Sequence, residues 1–248
     1  MPCPFEPKNG FSTEETRAEY LQVRLSRQEE GQVVDEEVAE EVEQTNANDS
    51  SIPPSPPTCL NADPDTTKPL YHWQLYSILG KDPIVTFITE FYKRIFDDTR
   101  PNYEWFRMAF VGVDPNPANH VKAQSNYWID AFGGGRVYWG GLSRLGFHHN
   151  SIHAEPVMNE RGAKRWLWHM KHAIRSYDFD NYLSSSMAGS SSSGSEEEKD
   201  ERIVPTLVDF LKVKVLMYAK EHEWEFDETE FDVEEYTYGS SKIPIEPE

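Results

Sequence analysis

The chain has 248 residues, a formal net charge of −19 and 38% hydrophobic residues, against roughly 45–50%, glycine included, in ordinary domains. So acidic a chain repels phosphate, which argues against nucleic acid and anionic membrane surfaces as partners. The acidity lies in the two flanks, while residues 71–182 are nearly neutral and hold most of the Trp, Tyr and Phe, so one packed domain between polar extensions is expected.

The only cysteines are Cys3 and Cys59, both in the polar N-terminal stretch. That rules out a disulfide framework or a cysteine zinc site and fits a reducing compartment. No apolar run approaches the length of a membrane span. The N-terminus has no signal-peptide apolar core, and Glu14, Glu15 and Glu19 do not suit an acid-poor transit peptide. A soluble, cytoplasmic protein is the expectation.

Residues 1–69 read as an acidic extension, disordered or partly helical: Thr13 to Glu43 has helix-forming composition but no apolar stripe, and Asn46 to Pro69 is linker-like. The domain is expected over residues 70–225. Its first helix carries the stripe Ile84, Phe87, Ile88, Phe91 and Ile95, with Asp82 as cap and Pro83 in the first turn. A second stripe runs through Val121, Gln124, Ser125, Trp128, Ile129 and Phe132 and stops at Gly133-Gly134-Gly135. A third runs through Ala163, Trp166, Leu167, Met170, Ala173 and Ile174, with Asn159 at its cap position. Residues 184–200 form a Ser-rich, then acidic, flexible insert. A fourth stripe, Val204, Leu207, Val208, Leu211, Val215 and Tyr218, has helical spacing although it is Val-rich. Residues 226–248 are expected to be a loose acidic tail.

Between the second and third stripes the pattern weakens, and glycines and the histidines His148, His149 and His153 accumulate. An all-α domain with an irregular, histidine-bearing segment facing a tryptophan-rich helix suits a flat apolar cofactor held by an imidazole.

Several landmarks in this stretch fall in an order that resembles a known family. Phe91-Tyr92 lies in the first helix, followed by Glu104-Trp105-Phe106 and Phe110. Gln124 stands nine residues before Gly133-Gly134, and Tyr138 closes the glycine segment. His153 stands thirteen residues before Trp166 in Arg165-Trp166-Leu167-Trp168-His169-Met170. The segment from Tyr71 to Trp224 resembles a truncated haemoglobin of the second group, closest to the plant and algal members. Departures are Gly135 and Arg136 where the family has two prolines, and Ile152 where an arginine usually meets a haem propionate.

The resemblance implies a two-over-two globin fold flanked by a disordered N-terminal extension and C-terminal tail, holding haem b with His153 as the protein ligand to the iron. His148 and His149 are rival ligands, and the register from Trp166 selects His153. The resemblance further implies that Tyr92, Gln124 and Trp166 are distal hydrogen-bond donors and that Phe110 packs on the haem face. His120 lies one turn before Gln124; it is either a gate, a distal donor, a sixth ligand or an exposed side chain. Arg136 or Arg144 would replace the missing propionate partner. The implied function is binding of oxygen, and of nitric oxide and carbon monoxide, at a pentacoordinate or switchable iron. Rival readings are a nitric oxide dioxygenase or peroxidase-like enzyme fed by an external reductase, since the chain carries no flavin or nicotinamide motif, and a haem-free interaction module.

Overall fold

The computed structural model of the protein describes residues 60–135, 137, 138, 154–179 and 200–247. Most of the N-terminal extension, His148, His149, His153, Arg136, Arg144 and the insert through 199 lie outside the described residues. The described residues form helices and turns and no strand. The helices are α1 (Leu75–Leu79), α2 (Lys81–Asp97), α3 (Glu104–Val113), α4 (Pro117–Ala131), α5 (Glu160–Arg175) and α6 (Ile203–Glu221). None is long and apolar enough to cross a membrane.

Helix α2 is the centre of the arrangement, packed most extensively on α4 and next on α5. Its expected stripe is fully buried: Ile84, Phe87, Ile88, Phe91 and Ile95 have essentially no exposed surface. The start of the helix differs from the sequence expectation. Gly80, not Asp82, is the cap residue, at φ +64°, a conformation a side chain disfavours. Its N–H closes α1 on the Tyr76 carbonyl at 2.9 Å. Asp82 instead occupies the first turn, where its charge still complements the helix dipole.

Helix α4 is capped by Asn116, whose side chain accepts the Ala118 N–H, with Pro117 next in the first turn. It ends at Gly133, φ +90°, where a Cβ would fall 2.1 Å from the Trp73 carbonyl oxygen. Glycine is therefore required both for the turn and for the close approach of the 72–74 segment. Asn159 caps α5 by accepting the Gly162 N–H at 2.9 Å, as expected from the sequence. The Val-rich stripe forms α6, with Val204, Leu207, Val208, Leu211 and Val215 buried. Rings knit α2, α4 and α6 together: Phe87 to Trp128 at 5.2 Å, and Trp128 to Phe210 at 5.4 Å between centroids.

Two polar stretches pack where the sequence suggests loose chain. Residues 60–69, assigned to the extension, are held by Arg202, which donates to the carbonyls of Asp63, Asp65 and Lys68. The acidic C-terminal stretch is placed against α5 through residue 247. Lys171, buried in α5, bonds Glu230 at 2.8 Å and Glu235 at 2.7 Å. Arg165 bonds Glu246 at 2.6 Å, Arg175 donates to the Ser240 and Lys242 carbonyls, and Phe231 and Tyr236 are buried. The physical reason is charge matching. The buried cations of α5 need carboxylates, and the acidic segment supplies them.

Candidate functional site

The helices enclose a cavity of about 380 Å³, within the range of small-molecule and cofactor sites. Tyr92 from α2, Phe110 from α3, His120 and Gln124 from α4, and Trp166 from α5 all line it. Side chains scattered over 75 positions thus meet at one place because each lies on the inner face of its helix. Ala154, the neighbour of His153 in the chain, also lines the cavity and is buried.

The polar part of the site is concentrated on α2 and α4. The Tyr92 hydroxyl donates a short hydrogen bond to Gln124 Oε1. Tyr92 is buried, and burial, with a smaller contribution from Tyr138, pushes its phenol well above the usual tyrosine range. It therefore keeps its proton at any physiological pH. With the proton given to the Gln124 oxygen, the amide retains two N–H donors; rotating the amide by half a turn would free the phenol proton instead. Either arrangement leaves the pair with a donor to spare.

His120 is partly buried, and its Nε2 lies 3.1 Å from the Phe110 carbonyl oxygen and 2.8 Å from that of Asp114. Both partners only accept, so Nε2 carries a proton. The ring lies 5.2 Å from Tyr92 and 5.5 Å from Phe96 between centroids. It thereby ties the end of α3 to the start of α4 beside the cavity. Phe110 sits edge-on to Tyr92 at 6.0 Å, and Trp166 sits edge-on to Phe91 at 5.4 Å.

Three contributors escaped the sequence reading. Asp130 is buried and its carboxylate accepts the N–H of Val137 at 2.6 Å and of Tyr138 at 2.9 Å. It pins the chain after the glycines, which brings Tyr138 to the cavity wall. Its signal was an aspartate beside the apolar positions Trp128 and Ile129. Lys214 of α6 and Trp224 after it also line the cavity. Lys214 falls on the same inner stripe as Leu207, Leu211 and Tyr218, and a lysine at such a position is a visible exception.

These residues fit a haem. The walls are rings and aliphatic groups, a paired phenol and amide stand at one place, and a lysine stands in the wall. An amphipathic macrocycle with acidic substituents needs such a lining.

Comparison with known proteins points the same way. Residues 74–192 match the family model for bacterial-like globins. The chain is 32% identical over 110 residues to group 2 truncated hemoglobin 3-1 of Lotus japonicus, a match covering 43% of this chain and 60% of that protein. It is 30% identical over 102 residues to two-on-two hemoglobin-3 of Arabidopsis thaliana, covering 40% and 53%. The chain thus spans between half and three-fifths of the length of these relatives. No solved structure matches significantly. The chain is thus similar over residues 74–192 to bacterial-like globins and to second-group truncated haemoglobins of plants, and the all-helical frame of the described residues agrees with that likeness.

Proposed function

We propose that the protein binds haem b in this cavity, with His153 as the protein ligand to the iron, and takes up oxygen, nitric oxide and carbon monoxide reversibly. When bound, haem supplies an iron with an open position for a diatomic ligand. The protein's own residues set how long that ligand stays. The observation that carries the reading is the Tyr92–Gln124 pair, a buried phenol bonded to a half-buried amide in a largely apolar cavity wall. A diatomic ligand that gains negative charge is stabilised by such donors, by about 1–3 kcal/mol each. Trp166 and Phe110 add apolar ring surface to the wall, and a less polar surrounding strengthens those bonds.

The choice of His153 is supported by its thirteen-residue distance from Trp166 and by Ala154 at the cavity wall. His120 has its Nε2–H engaged by two carbonyls, which favours an iron with one protein ligand over one that His120 caps. The same Tyr92–Gln124 donors would also serve nitric oxide dioxygenation or a peroxidase-like reaction, with electrons from an external reductase.

Absorption spectroscopy tests the reading. The purified chain, reconstituted with haem, is expected to show an intense Soret band, and His153→Ala to lose stable haem. A missing band in the unsubstituted protein would end the haem reading. A band that survives His153→Ala and is lost in His149→Ala would move the ligand to His149. Oxygen-dependent consumption of nitric oxide over many turnovers, with a supplied reductant, would favour the enzymatic alternative.

A further inference from the structure

The carbonyls in the last turn of a helix have no partner within that helix and take one from elsewhere. At the end of α3 the Phe110 carbonyl accepts the Asp114 N–H at 3.0 Å. The Phe110 and Asp114 carbonyls also face one donor of α4, His120 Nε2, at 3.1 and 2.8 Å. Helix α3 is thus capped by a side chain of the next helix. The Asp114 carboxylate tightens the same corner: its Oδ1 accepts the Asn116 N–H and its Oδ2 accepts from Asn119 Nδ2, both at 2.8 Å. Helix α3 has only ten residues, and Met108 and Val113 on it are exposed. So short a helix depends on tertiary anchors for its place.

The capped residue, Phe110, lines the cavity. Its ring stands edge-on to Tyr92 at 6.0 Å, and the His120 ring lies 5.2 Å from Tyr92 between centroids. One turn further along α4, Gln124 accepts from the Tyr92 hydroxyl. The start of α4 therefore holds Tyr92 at two points, the ring beside His120 and the hydroxyl at Gln124. A swinging gate, or an Nε2 ligand to iron, would have to leave both capped carbonyls without this donor.

We propose that His120 is a positioning residue for ligand binding: its Nε2–H caps α3 and so fixes Phe110 and the Tyr92 phenol beside it. This rests on the reading of Tyr92 as a donor to a bound diatomic ligand.

Two substitutions separate the N–H from the ring. His120→Gln keeps an N–H donor at about the same reach, and His120→Phe keeps a ring without one. In the full chain without haem, exchange of the Asp114 amide hydrogen, read by NMR, is expected to quicken roughly three- to tenfold in His120→Phe and to stay within about twofold of the parent in His120→Gln. In the haem-loaded chain, the infrared stretch of bound carbon monoxide in His120→Phe is expected to move toward its position in Tyr92→Phe, while His120→Gln keeps the parent's band. His120→Asn, too short to reach both carbonyls, is expected to behave as His120→Phe and replaces it if that variant does not fold. Unchanged exchange and an unchanged band in His120→Phe would overturn the proposal. So would a parent-like His120→Phe beside an altered His120→Gln, which would make the ring a packing group. Quickened exchange with an unmoved band would leave a cap that positions nothing, and the proposal would fall. A six-coordinate iron spectrum in the parent that all three variants lose would make His120 a ligand instead. A parent chain with no Soret band would remove the haem reading and the positioning role with it. A normal band with no effect of His120 would remove the positioning role alone.

Discussion

The hydrogen bond between Tyr92 and Gln124 joins two side chains whose worth differs between the empty and the ligand-bearing cavity. In the first, phenol and amide satisfy each other. In the second, on the proposed function, one of them would turn a donor to the ligand while the other keeps it oriented. Tyr92→Phe removes the phenol proton and leaves a half-buried amide oxygen without its donor, so both effects fall on the same pocket. Oxygen release from Tyr92→Phe is expected to quicken by about ten- to a hundredfold, the equivalent of about 1.4–2.7 kcal/mol. Stopped-flow displacement by carbon monoxide measures it. An unchanged rate would show that Tyr92 gives nothing to the ligand. His120 acts differently, since its Nε2–H serves the Phe110 and Asp114 carbonyls.

At the scale of elements, helix α5 has two working faces. One presents Trp166 to the cavity. The other carries Arg165 and Lys171, both almost fully buried under the C-terminal segment. Arg165 also bonds Asp98 at the end of α2 and lies over the Tyr103 and Trp168 rings, at 3.6 and 4.2 Å from their centres. Residues 226–247 are thus a covering of α5, whose carboxylates compensate its buried charges. Breaking such a pair from either side leaves a charge without its partner, but the burden is larger for Lys171, whose side chain is 2% exposed, than for Glu230 and Glu235, which keep 29% and 13% of theirs. Replacing both Glu230 and Glu235 by Gln is therefore expected to cost about 3–5 kcal/mol of stability, and Lys171→Met less than about half of that. Urea unfolding midpoints decide it, and equal costs would mean that the pair is not buried in solution.

For the molecule as a whole, buried titratable groups predict how stability follows pH. Burial, with Arg165 next in importance, depresses His169 to about 3. Burial, then Arg94, depresses His172 to about 4. Asp98 also lies well below its usual value: its bonds to Arg100 and Arg165 outweigh the opposing effect of burial. A histidine whose folded value is depressed binds its proton first in the unfolded chain. Its burden is absent above about pH 6.5 and grows as pH falls toward the folded value. Asp98 adds a loss in the same direction, beginning below about 4. Stability is therefore expected to be flat near neutrality and to fall from about pH 6.5 downward, by at most about 1.4 kcal/mol per pH unit for each histidine. His169 has no hydrogen-bond partner at either ring nitrogen among the described residues, and its ring stacks on Phe106 at 5.7 Å. His169→Phe should therefore flatten the curve between pH 6.5 and 4. An equally steep curve in that variant would show that His169 does not titrate across the range.

The amino-acid order alone determined the four long helices, because their apolar positions repeat at the period of a helix and each repeat is a local property. It also pointed to Tyr92, Phe110, Gln124 and Trp166 through a family resemblance and to His120 through its place one turn before Gln124; the structure shows that all five line one cavity. The tertiary structure decided what depends on distant partners. Residues 226–247 look solvated when read alone, and they pack because Arg165 and Lys171 lie on α5, more than fifty residues earlier. Asp130 and Lys214 look like polar interruptions of apolar stripes until backbone N–H groups and rings are found around them. Helical periodicity is written in neighbours three and four residues apart. The pairing of a buried charge depends on which segments the fold brings together, and no local pattern carries that.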